Sequence, residues 1–264
     1  MYLHEKWMEE PIFDILVEGK QIGWKKKWDN TKKFRALGMA LKMGKAWKER
    51  KRRKAKLTRR KFNNLKEKFK KEGWKWIELL RGGNIDVSTA YRKLRELFKD
   101  YYHQAFMLGY ESSGLSDFIE VDKEELKWVD SALREETKYL LKFLQDVATS
   151  QGKMDYLKRW EMYVNTLDHV YWGGRMVVVP EGFVIDWVLM PAEHCEGCIL
   201  LAKNSPYTRD TLPTTPRAGA TPCLSNCKCR LRIREPKDLI EYKAAKNKSK
   251  ASLLLRLKRI KDGV

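Results

Sequence analysis

The stretches HCEGC (194–198) and CLSNCKC (223–229) hold all five cysteines of the chain. Cys195 and Cys198 are separated by two residues, and Cys223 is followed by Cys227 and Cys229. Two close-set thiol groups separated by a loop of about two dozen residues suit a tetrahedral ion: each group supplies sulfurs from one turn, and the metal clamps the two turns together. Lys203, Lys228 and Arg230 are close in sequence and favour the thiolate form. Five cysteines and His194 compete for four positions. Cys195, Cys198, Cys227 and Cys229 are the first choice. Cys223 is the reserve, and His194 is less suited because it directly adjoins Cys195. The odd cysteine count weighs against a disulfide framework. The expected cofactor is a structural zinc. A catalytic zinc needs an open position and a general base. Glu193 and Glu196 are near, but the order of residues does not match the deaminase pattern of His-x-Glu followed by Pro-Cys-x-x-Cys.

The residues around the cysteines are short apolar runs and prolines. Residues 176–180 and 183–190 are β-branched and apolar, so strands are predicted there, and Arg230–Arg234 alternates like a closing strand. Prolines at 191, 206, 213, 216 and 222 mark a loop of about 30 residues that needs something to hold it. The cysteines are placed to do so.

Upstream the period changes to that of helices. Tyr91, Leu94, Phe98, Tyr101, Ala105 and Leu108 form one face of a helix from about Ser88, with Gly109 as its stop. Asp122 and Glu125 have capping-box spacing before a long helix lined by Leu126, Val129, Leu133, Leu140, Leu144 and Val147, ending at Ser150-Gln151-Gly152. A third helix carries Leu157, Trp160, Val164, Leu167 and Tyr171 and stops near Gly173-Gly174. These stripes are core rather than a cofactor box, and His103 and His169 are read as packing residues. No phosphate-cradling Gly-rich loop, His-Glu-x-x-His or Gly-x-Ser-x-Gly motif is present. The fold class that follows is mainly α: a helical body (84–175), a basic helical N-terminal arm (1–83), a small zinc-clamped β-rich module (176–236) and a basic C-terminal helix or tail (237–264).

The chain carries a formal net charge of +20 over 264 residues. The placement of that charge is the informative part. Residues 24–72 contain 22 lysines and arginines against 4 acids, and residues 237–264 contain 9 against 3, so the remainder is close to neutral. Ala36, Ala40, Met43 and Trp47, then Phe62, Leu65 and Phe69, give the basic segment a narrow helical stripe. Between them KERKRRKAKLTRRK (48–61) is almost free of apolar residues. Like charges at this density repel along a helix, so a polyanion contact is expected, with Lys51, Arg52, Arg53, Lys54, Arg59, Arg60 and Lys61 on phosphates and no sequence specificity. Residues 1–23 read as a short strand-like start without a secretory leader, and no apolar run is long enough to span a membrane, so no membrane partner is expected.

The stretch from Trp187 through Pro191-Ala-Glu-His-Cys-Glu-Gly-Cys198, Ser205-Pro-Tyr-Thr-Arg-Asp-Thr-Leu-Pro213, Pro216-Arg-Ala-Gly219 and Thr221-Pro-Cys-Leu-Ser-Asn-Cys-Lys-Cys-Arg-Leu231 resembles the C-terminal signature of the minor head, or head-morphogenesis, proteins of tailed bacteriophages. The likeness covers residues 155–234, and the basic-flanked Cys-x-Cys end is its most specific part. It implies a non-enzymatic virion component in the capsid interior or at the portal vertex, made in the host cytoplasm, with the portal or major capsid protein and packaged DNA as partners. The zinc assignment rests on the cysteine spacing instead. Two other classes compete: a zinc-containing nucleic-acid-binding regulator, and a zinc hydrolase or toxin-like transferase.

Overall fold

The computed structural model describes residues 44–112, 121, 123–150 and 155–263. The expected strand-like start at 1–23, the stripe at Ala36, Ala40 and Met43, the cap at Asp122 and the stop at Gln151-Gly152 lie outside the described residues. The described part is mainly helical with one small sheet. Helices α1 (Gly44–Arg81), α2 (Val87–Glu111), α3 (Lys123–Thr137), α4 (Leu140–Thr149) and α5 (Tyr156–Val177) come first. They are followed by β1 (Val184–Val188), α6 (Glu196–Lys203), a 3-10 turn at Leu224–Asn226, β2 (Arg230–Arg234), α7 (Leu239–Lys246) and α8 (Lys250–Asp262). Among the described residues no helix is long and apolar enough to cross a membrane.

Helix α1 is two things in one element. Its second half buries Phe62, Leu65, Phe69, Ile77 and Leu80, spaced three, four, eight and three residues apart, against the body. Its first half carries the basic run and exposes even Leu57. The chain leaves α1 through Gly83, whose φ of +72° is left-handed and suits glycine, and re-enters helix at Asp86, whose carboxylate accepts the Thr89 N–H at 2.6 Å. The resulting turn folds α2 back on α1.

The body core is largely aromatic. Phe69 packs on Phe98, Tyr101 and Trp160 with ring centroids 5.0–5.1 Å apart, and Phe62 meets Tyr171 at 4.5 Å. The predicted stripes supply it: Leu94, Phe98, Tyr101 and Ala105 from α2, Val129 and Leu133 from α3, Leu140, Leu144 and Val147 from α4, and Trp160, Val164, Leu167 and Tyr171 from α5 are all buried. His169 is half-buried at the edge of this core, its ring 5.2 Å from that of Trp128.

The structure corrects the expected element ends. The single helix predicted from Asp122 to Val147 is two, α3 and α4, broken after Thr137. The Thr137 hydroxyl donates back to the Leu133 carbonyl at 2.9 Å, a local bond that competes with continued helix. Gly109 and Gly173-Gly174 do not stop their helices, which run on to Glu111 and Val177. These glycines let helices touch. A Cβ on Gly109 would be 1.9 Å from the Tyr171 carbonyl oxygen, and one on Gly174 2.0 Å from that of Phe106, so α2 and α5 pack backbone to backbone. The strand expected at 176–180 is absent. Met176 and Val177 finish α5, and the buried Val178 and Val179 pass through a turn closed by the Val179 N–H on the Met176 carbonyl.

Candidate metal centre

β1 and β2 pair antiparallel, with Val188 opposite Arg230. That register decides the geometry of the cysteines. It brings the end of β1, which leads to Cys195 six residues after Leu189, beside Cys229, the residue before β2. Cys195 caps α6, and Cys198 sits in its first turn, buried. Cys223 and Cys227 flank the 3-10 turn. Gly197 completes the approach: a Cβ there would come within 3.0 Å of Pro222 Cδ and 3.3 Å of Thr221 Cβ, so the missing side chain admits the second cysteine group onto α6.

The five sulfurs converge on Cys198. Its Sγ is 3.6 Å from that of Cys223 and 3.5 Å from that of Cys227. Cys195, Cys198 and Cys223 form one group and Cys198, Cys227 and Cys229 a second, each with all sulfurs within 4.8 Å of one another. These groups are close enough to hold a metal ion. All five cysteines are free of disulfides, as expected. The sulfurs cannot all ionise in this space without a cation. Hydrogen bonds from Cys198 and Cys227 hold Cys229 down to about 4, while Cys223, Cys227 and Cys229 push the Cys198 thiol far up. His194 stands at the rim. Its Nδ1 is 3.6 Å from the Cys229 sulfur and its Nε2 2.6 Å from the Met190 carbonyl oxygen, so it touches one cysteine rather than a group.

The module is fastened to the body by charge. Asp168 on α5 is buried. Its carboxylate accepts from Lys66 at 2.6 Å, Arg217 at 2.5 Å and Arg59 at 3.3 Å. Burial alone would raise its pKa, but the charges of Lys66, Arg217 and Arg59 outweigh that and hold the carboxyl below its ordinary value. Arg217, in a left-handed conformation at φ +69°, also donates from Nε to the Cys227 carbonyl at 3.0 Å. One guanidinium therefore links the second cysteine group to α5. Next to it, His169 Nδ1 lies 2.6 Å from the Thr215 hydroxyl. The Pro-rich loop is thus held at the cysteines and again at Asp168 and His169.

The seven basic residues expected to bind nucleic acid are spread differently. Arg52, Arg53, Arg60 and Lys61 are exposed on α1, and Lys54 is half-buried. Arg59 turns inward to Asp168 and lies over the Phe62 and Tyr171 rings, 5.1 and 5.4 Å from their centroids. The side chain of Lys51 lies outside the described residues. Sequence reasoning did not find the Lys66–Asp168–Arg217 cluster. Its members are 102 and 49 residues apart, and an isolated charge in an apolar helix stripe was the only available signal. Comparison with protein families, curated proteins and solved structures yields no match to this chain.

Proposed function

We propose that this chain is a minor head protein of a tailed bacteriophage, a non-enzymatic virion component at the portal or inner capsid that touches packaged DNA through its basic helix. In this reading the module is stapled by one structural zinc. A tetrahedral zinc with bonds of about 2.3 Å sets its sulfurs about 3.8 Å apart. The Cys198 contacts of 3.5 and 3.6 Å are near that value, and this convergence of sulfurs is the observation that supports the reading most. Cys198, Cys227 and Cys229 supply three ligands. Cys223 supplies the fourth, in place of Cys195, because its sulfur lies 3.6 Å from that of Cys198. The zinc would supply no chemistry. It would fix the second cysteine group to α6 and, through Arg217, keep the module on α5.

The basic half of α1 suits DNA because its charge is exposed, one-sided and without base-reading geometry of its own. Two measurements test the proposal. Metal analysis of the purified chain should give one zinc per chain, and duplex DNA should bind with a steep salt dependence and little preference among sequences. Less than one zinc with all thiols reactive sinks the staple. Tight binding to one sequence over others favours a regulator instead. The gene's neighbours test the virion assignment: portal, terminase and capsid genes are expected, and a metabolic operon overturns it.

A further inference from the structure

Among the basic residues between α1 and α5, Arg175 stands apart. It lies on the last turn of α5, half-buried, with its guanidinium carbon 4.8 Å from the centroid of the Trp172 ring. Its Nε is sealed from solvent and has no hydrogen-bond partner. No carboxylate pairs with it among the described residues; the groups that act on it electrostatically are the Tyr171 phenol and another cation, Arg59. The other cations along this junction are engaged: Lys66, Arg217 and Arg59 all converge on Asp168, and Lys70 pairs with Glu161. An unpaired guanidinium with a donor sealed from water is costly, and an anion beside it would relieve that cost.

The direction of the helices shows where that anion would come from. α1 and α5 run antiparallel: Lys70 reaches Glu161, Lys66 reaches Asp168 and Phe62 meets Tyr171. Residues one and two turns before Arg59 therefore lie toward the Arg175 end of α5. There Arg52 and Lys56, spaced four and three residues from each other and from Arg59, share one exposed face.

We propose that Arg175, with Arg59 and the Arg52–Lys56 face of α1, binds a phosphate group of nucleic acid, one fixed contact on an otherwise diffuse basic surface. The inference rests on the reading of α1 as a DNA contact and narrows it to a site. A guanidinium held over an indole is preorganised, so it loses less freedom on binding than a solvent-borne lysine.

The test uses the full metal-loaded chain, a short DNA duplex and two variants. Arg175→Met keeps the apolar stem over Trp172, and Arg53→Met removes one exposed charge of the same helix. Arg175→Met is expected to weaken DNA binding roughly ten-fold at moderate salt, against about two- to three-fold for Arg53→Met. Without anions Arg175→Met should melt at a higher temperature than the wild type, because an unpaired, half-buried charge is gone. Sodium pyrophosphate, matched for ionic strength with sodium chloride, should raise the melting temperature of the wild type and not of the variant. Equal losses of DNA binding in the two variants overturn the site but leave the basic-helix reading standing. A wild type that binds no DNA overturns both. Pyrophosphate stabilisation through Arg175 with no extra loss of DNA binding assigns the site to a free phosphate and overturns nucleic acid as its source.

Discussion

The helical body and the cysteine module solve the same problem with different means. The body packs five helices around large aromatic rings, and its tightest contacts are between backbones, at Gly109 and Gly174. The module has one two-stranded sheet, short helices and long proline-rich connections. Its apolar cluster is small enough to count Cys198, Cys227 and Cys229 among its members, and it borrows Trp172 from α5 and Leu253 and Leu257 from α8. A unit of this size buries too little apolar surface to be secure alone. Area holds the first region, and on the proposed reading a metal bound by the cysteines holds the second. The two should therefore fail separately.

The largest effect expected is at Cys198, the one sulfur common to both groups. Cys198→Ser should release the metal and unfold residues 184–234, at a cost on the order of 5 kcal/mol or more, while the amides of α2 and α5 keep their protection from hydrogen exchange. Cys195→Ser should retain one metal per chain. Chelation of the wild type should reproduce the Cys198→Ser exchange pattern. If the body and module lose protection together in either experiment, the division into two regimes is wrong.

The opposite break is Gly174→Ala. The added methyl would meet the Phe106 carbonyl oxygen at 2.0 Å and the Tyr110 nitrogen at 2.9 Å, both backbone atoms that cannot rotate away. A loss of about 3 kcal/mol in denaturant unfolding is expected, with metal content unchanged in the folded fraction. An alanine at Gly82, whose nearest neighbour is the Asn84 side chain at 3.0 Å, serves as the mild control.

These two regions also differ in how readable they were. Helix faces such as Leu94, Phe98 and Tyr101 repeat at helical spacing, so the body core was legible from periodicity, and the cysteines were legible because five thiols in 35 residues have few uses. What escaped depends on partners far along the chain. A glycine inside an apolar helix reads as punctuation until a second helix is seen lying on it, which is why Gly109 and Gly174 were taken for stops. The short run 176–180 has strand composition, but composition does not supply a pairing partner, and β2 takes β1 instead. Arg59 had the same sequence signal as Arg60. Only the fold shows that one faces Asp168 and the other solvent.

The smallest effect expected is a pH dependence that belongs to the body and not to the sulfurs. Glu136 is buried beside Thr166, and desolvation raises its pKa from the ordinary 4.5 to about 7. His169, half-buried against Thr215, is lowered from 6.5 to about 4 by the same cause. The signs oppose each other. Folded Glu136 keeps its proton where the unfolded chain has lost it, so its contribution is present below about pH 4.5 and is lost as pH rises through about 7. Folded His169 stays neutral where the unfolded chain has charged, so its contribution is present above about pH 6.5 and is lost as pH falls through about 4. Glu136→Gln cannot ionise, keeps the hydrogen-bonding shape and should gain on the order of 2 kcal/mol over the wild type at pH 8, with the gain vanishing near pH 4. Equilibrium unfolding of both proteins at those two pH values measures the difference. A constant offset between them would mean that Glu136 titrates in the fold as it does in the unfolded chain, as a solvated carboxylate does.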